Sequence, residues 1–120
     1  MRLRGRKGIR ENLEEQKELV ILDPKEYKGK WASLFGNDHP IHVEFGMGKG
    51  QFISQMSIKN PDINFIGIDV YDELIRRASE KAIDAWSEQQ IKLPPNLRLA
   101  FANAEYADEV FEVDEFDAPD

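Results

Sequence analysis

Apolar positions change their period several times along this chain, and the changes predict its elements. "PIHVEFG" alternates and then runs apolar, which predicts a strand closing at Gly46. "KGQFISQMSIKN" predicts a helix, with Phe52, Ile53 and Met56 on its buried side and Pro61–Asp62 breaking it. "INFIGIDV" is apolar on both faces, as a parallel strand covered by helices is. In "YDELIRRASEKAIDAWSEQQ" the residues Leu74, Ile75, Ala78, Ala82 and Trp86 fall on one stripe and the charges on the other, so a long amphipathic helix is expected. "LPPN" breaks it, "LRLAF" is a third strand, and "AEYADEVF" a short further helix. Upstream, "ENLEEQKELV" has the thin stripe Leu13, Gln16, Lys17 and Val20 and reads as a short helix. "DPKEYKGKWASLFG" reads as another, with Asp23 as N-cap, Pro24 in the first turn and Gly36–Asn37 as the stop.

Strands alternating with helices predict an α/β fold built on a doubly wound parallel sheet, whose crossovers are right-handed. Such sheets bind ligands at the carboxyl ends of their strands. Residues 1–38 are read as an arm with helices, and 39–120 as the sheet-bearing part. Three strands are few for a sheet covered on both sides, and the sequence stops at "DAPD" where a fourth is expected. The expectation is a sheet truncated after its third strand, the front half of a longer protein. Its bare edge would be a surface through which copies of the chain could pair.

At 120 residues the chain has room for one modest domain. It contains no cysteine, which removes disulfide scaffolds, thiolate metal sites and cysteine nucleophiles, and no metal ligands are assigned. No apolar run reaches the roughly 18 residues of a membrane span, so a cytoplasmic location without membrane partners is expected. The net charge of −7 conceals an asymmetry. "MRLRGRKGIR" carries Arg2, Arg4, Arg6, Lys7 and Arg10 without an acid, whereas the last eighteen residues carry acids and no base. A basic arm on an acidic body suits phosphate contacts.

The most informative stretch is "VEFGMGKGQF". Glu44 precedes three alternate glycines, Gly46, Gly48 and Gly50, which let backbone approach a ligand closely. The dinucleotide pattern G-x-G-x-x-G fails because Gln51 stands in its last position, and the P-loop fails because Gly50 follows Lys49. A carboxylate ahead of the turn repels a pyrophosphate and attracts a cation such as the sulfonium and ammonium groups of S-adenosylmethionine. Asp69, which closes the second strand, suits the two ribose hydroxyls. Asn103, followed by Ala104 after the third strand, suits an adenine edge. The candidate cofactor-binding residues are therefore Glu44, Gly46, Gly48, Gly50, Asp69, Asn103 and Ala104.

The blocks "MRLR", "EYKGKW", "LFGN", "IHVEFGMGKGQF" and "NPDINFIGIDVYD" resemble the N-terminal half of bacterial tRNA (guanine-N7)-methyltransferases. The likeness runs from Met1 to about Ala78 and resumes at "LPPNLRL". It implies a Rossmann-like class I methyltransferase fold, with residues 39–120 as the N-terminal half of the S-adenosylmethionine-binding domain. It also implies that Glu44, Asp69 and Asn103 contact S-adenosylmethionine and that Gly46 and Gly48 form the floor. The family usually has Glu in place of Asp69 and often Asp in place of Asn103; both changes keep an acceptor. Its Asp-Pro-Trp-Pro-Lys segment and a later segment bearing Thr and Asn, which hold the guanine and much of the tRNA, lie beyond the sequence. The expectation is that the parent methylates N7 of a guanine in the tRNA variable loop, and that this chain alone transfers no methyl group.

N7 of guanine attacks with an in-plane lone pair and loses no proton, so the work is alignment and charge, and no catalytic residue is assigned. His39 and His42, at the start of the first strand, are read as surface or core-rim residues. A tRNA partner makes Arg2, Arg4, Arg6 and Lys7 the candidate substrate-binding residues, extended by Lys28 and Lys30, while Trp31 is read as core. The alternatives are a class I methyltransferase half-domain with another substrate, and a non-catalytic nucleotide-binding or assembly module.

Overall fold

The computed structural model describes residues 18–46, 50–103 and 107–111. Four strands form one sheet in the order β1-β4-β3-β2, every pairing parallel. They are β1 (Val20–Ile21), β2 (Ile41–Phe45), β3 (Asn64–Asp69) and β4 (Leu97–Phe101). The helices are α1 (Trp31–Phe35), α2 (Gln51–Lys59), α3 (Asp72–Ser87) and α4 (Ala107–Val110), with a 3-10 turn at Pro24–Tyr27. The three expected strands are all present. The place after Phe116 where a fourth was expected lies outside the described residues. A further, unexpected strand precedes the three in sequence: Val20, expected on a helix, instead pairs with Leu99 at the outer edge of β4. Two residues suffice there because Val20 and Ile21 are buried on opposite faces, and burial overrides the weak helical stripe. Leu13, Gln16 and Lys17 of that stripe lie outside the described residues.

Alternation along the strands divides the core in two. Phe65, Leu97 and Leu99 pack with Ile53 of α2 and with Ile75, Ala78 and Ala82 of α3. Val43, Ile66, Ile68 and Ala100 pack on the other face with Trp31 of α1, Val110 of α4 and the adjoining Phe111. The sheet is therefore covered on both sides, which is why β3 is buried along its whole length.

Two elements depart from the sequence pattern. The helix expected from Pro24 to Gly36 is divided into the 3-10 turn and α1, with a turn at Lys28–Lys30 between them. Asp23 precedes the turn but makes no side-chain capping bond. Phe52, expected in the buried stripe of α2, is 63% exposed, whereas Ile53 is buried. α2 is only nine residues long and packs its buried side against both α3 and the sheet, which leaves Phe52 turned outward.

Side chains just before β4 and near the end of α3 tie the helices down. The Asn96 amide donates to the carbonyls of Ser57, Asn60 and Ile63, gathering the end of α2 and the loop after it. The Trp86 indole donates to Ser57 Oγ, joining α3 to α2. Removing the Asn96 amide strands buried acceptors, so Asn96→Ala is expected to cost roughly 1–3 kcal/mol in urea unfolding. A loss too small to measure would show that water replaces the amide. On the surface of α3, the hydrogen bond from Arg76 holds the Glu73 carboxyl below its ordinary value, with Arg77 adding to it. Since the folded value is the lower one, this contribution is present above the ordinary carboxylate range and disappears as the pH falls through it.

Candidate functional site

β2, β3 and β4 end side by side, and their backbone pairing continues past the last strand residues. The N–H of Gly46 donates to Ile68 O at 2.8 Å, and that of Ala102 to Asp69 O at 3.1 Å. Gly46, Asp69 and Ala102–Asn103 therefore stand in a row across the carboxyl ends, but Glu44 and Asn103 line separate cavities rather than one crevice. Gly48 and Ala104 lie outside the described residues, as do Arg2, Arg4, Arg6 and Lys7.

The register determines which way the acids point. Glu44 pairs with Gly67, and Asp69 follows Gly67 by two residues, so Glu44 and Asp69 share the face covered by α2 and α3. Along the strands they are offset by two residues, about 6–7 Å. Gly67 has no side chain, which leaves the flank of Glu44 open toward β3. Glu44 is half-buried and lines a cavity of about 230 Å³ with His42, Phe52, Ile53, Met56 and Phe65. Its Oε1 lies 3.8 Å from Nε2 of His42.

Asp69 is 7% exposed, so it is no ordinary surface acid. Its Oδ1 accepts the backbone N–H groups of Val70 at 2.8 Å and Tyr71 at 3.4 Å. Those bonds orient the carboxylate at the strand end and leave Oδ2 as the oxygen it can offer a ligand. Asn103 is exposed and reaches a second cavity of about 380 Å³ on the β1 side, bordered by Leu22, Phe101 and Val110. An ion pair of 3.2 Å between Lys25 and Glu109 crosses the rim of that cavity.

The two described glycines of the turn do different things. Gly46 has φ +70°, and a Cβ built there meets nothing within 4 Å, so its conformation demands glycine while the space beside it is open. Gly50 has φ +83°, but a Cβ there would lie 2.5 Å from Ala78 Cβ and 2.6 Å from Ala78 Cα. The absent side chain of Gly50 admits α3, so close helix packing accounts for that glycine without a ligand. Open space at Gly46, an oriented buried carboxylate at Asp69 and a half-buried one at Glu44 fit a cationic nucleoside lying over the strand ends.

Two further features escaped the sequence pattern. Val70 and Tyr71 are 46% and 64% exposed immediately after Asp69, an apolar surface beside the carboxylate. Their signal was an apolar pair following an acid at a strand end, which also reads as the close of a buried strand. His42, read as a surface or core-rim residue, is partly exposed and shares a cavity with Glu44 because residues two apart on a strand face the same way. Trp31, as expected, is fully buried.

Among solved structures, one described as "Structure of an antibiotic related Methyltransferase" superposes with a TM-score of 0.51 at 21% identity, over 64% of this chain and 37% of the other; it supports the fold alone. A "tRNA (guanine-N(7)-)-methyltransferase" of Streptococcus mutans serotype c (strain ATCC 700610 / UA159) is 48% identical over 103 residues, covering 86% of this chain and 46% of that protein. The protein of the same description from Streptococcus equi subsp. zooepidemicus (strain H70) is 43% identical over 117 residues, 98% of this chain and 52% of the relative. The chain thus spans about half the length of the curated relatives it matches. The family model described as "Putative methyltransferase" matches residues 38–118, which include β2, β3, β4 and the helices between them. The chain belongs to this methyltransferase family.

Proposed function

We propose that this chain provides the methyl-donor site of an S-adenosylmethionine-dependent enzyme that methylates N7 of a guanine in tRNA. The observation that carries this reading is the placement of Glu44, Gly46 and Asp69 across adjoining strand ends, in a chain 48% identical to a tRNA (guanine-N7)-methyltransferase. When bound, S-adenosylmethionine would supply an electrophilic methyl group on a sulfonium.

The roles of this chain's residues follow from their chemistry. Glu44 offers negative charge to the cationic end of the donor, and Gly46 leaves the backbone bare beneath it. Asp69, held by its own backbone bonds, presents Oδ2 to ribose hydroxyls. Val70 and Tyr71 offer an apolar surface to a purine face, and the Asn103 amide suits its polar edge. Gly48, Gly50 and Ala104 complete the proposed donor-binding set, Gly50 through helix packing. No residue needs to remove a proton, because N7 is nucleophilic as it stands. Arg2, Arg4, Arg6 and Lys7 are assigned to tRNA phosphates, with Lys28 and Lys30 exposed alongside the 3-10 turn. We assign the remaining substrate contacts to the part of the relatives beyond the matched half. Among the described residues no helix is long and apolar enough to cross a membrane, and tRNA is a cytoplasmic substrate. Among the described residues β2 is an edge strand of the sheet, and it is the edge we assign to any pairing between copies of this chain.

Calorimetric titration with S-adenosylhomocysteine tests the site. Asp69→Ala is expected to weaken binding by roughly 1–3 kcal/mol through loss of a paired ribose contact. Unchanged affinity would remove Asp69 from the site.

A further inference from the structure

His42 is unused by the reading above, yet it stands beside the carboxylate on which that reading depends. Its Nε2 is 3.8 Å from Glu44 Oε1, too long for a hydrogen bond and close enough for charge to act. The imidazole is not loose: its ring lies 5.5 Å from the Phe65 ring at an interplanar angle of 54°. Both side chains are partly exposed, 26% and 35%, and both line the cavity of about 230 Å³. The facing side chains of α2 (Phe52, Ile53 and Met56) and of β3 (Phe65) carry no charge. Among the described residues, His42 and Glu44 are therefore the titratable groups of that cavity.

We infer that His42 is a positioning residue for Glu44 that makes capture of the cationic donor depend on pH. Histidine is the side chain whose charge changes between about pH 5 and pH 8. Protonated, the imidazolium neutralises the carboxylate and repels a second cation. Neutral, it leaves the Glu44 charge to the donor while its contact with Phe65 holds it in place. Binding of a cation at Glu44 then expels a proton from His42, so donor affinity rises with pH. The inference rests on the assignment of Glu44 to the donor site.

The test is calorimetry of S-adenosylmethionine binding to the protein at several pH values, in buffers of different ionisation enthalpy. The expected result is about two- to fivefold tighter binding at the upper end of that pH range, the scale of a partly exposed ion pair, with proton release in the lower half. His42→Gln should flatten the profile and abolish the proton release, with His42→Asn as a second variant and circular dichroism reporting the fold. His39→Gln changes the other histidine and should keep the slope. A wild-type profile without slope, or a His42→Gln profile parallel to wild type, overturns the inference. Glu44→Gln separates the two ideas: affinity equal to wild type at every pH overturns the assignment of Glu44 and the inference with it. Weak, pH-independent binding supports both.

Discussion

Replacing Trp31 by alanine is expected to cost this fold about 3–5 kcal/mol in equilibrium urea unfolding. Trp31 is fully buried, and its indole N–H donates to Val110 O at 2.9 Å, across 79 residues of sequence. Its ring lies 5.4 Å from Tyr27 and 5.5 Å from Phe111. One side chain thus joins the 3-10 turn, α1 and the end of α4 over the same face of the sheet. Truncation loses the apolar burial, opens a cavity and strands a carbonyl. Against a typical domain stability of roughly 5–15 kcal/mol, such a loss is a large fraction. Trp31→Phe keeps most of the volume and loses the donor, so about 1–2 kcal/mol is expected. An alanine variant within about 1 kcal/mol of wild type would mean that this face of the sheet contributes little. The consequence for function is indirect: α4 follows the strand end that carries Asn103, and releasing α4 should weaken donor binding as well.

The second large effect is expected at Gly50. Alanine there must adopt φ +83°, which costs roughly 1–2 kcal/mol. It must also push its Cβ against Ala78, at 2.5 Å from Cβ and 2.6 Å from Cα, and overpacking of that kind costs about 1–3 kcal/mol. A combined loss of several kcal/mol should appear in thermal or urea unfolding without any ligand. Ala78→Gly in the same chain removes one clashing atom but leaves the collision with the backbone of α3, so it restores only part of the stability. If Gly50→Ala instead unfolded like wild type and lost affinity for S-adenosylhomocysteine, Gly50 would belong to the ligand floor and not to the helix packing. The measurement therefore distinguishes two reasons for one glycine, which spacing alone cannot do.

Much of this was legible in the chain. Alternation in "PIHVEFG", the two-sided apolar run "INFIGIDV" and the stripe Ile75, Ala78, Ala82 and Trp86 correspond to β2, β3 and α3 with little ambiguity. Long periodic segments declare themselves because one face of each must be buried whatever the neighbours are. An acid before alternate glycines and a second acid at the next strand end likewise marked the region that the structure brings together at Gly46 and Asp69.

Other features depended on partners far away in sequence. Val20–Ile21 is a strand because the outer edge of β4 was free to pair with it. Phe52 is exposed because α2 turns its buried side to α3 as well as to the sheet. Gly50 is a packing glycine because Ala78, far along the chain on α3, comes against it. His42 meets Glu44 because strand geometry puts them on one face of the sheet and α2 encloses that face in a cavity with apolar walls. Period and composition report which side of a segment seeks burial; which atoms arrive to bury it, and at what distance, is decided only when crossovers set the register of one segment against another.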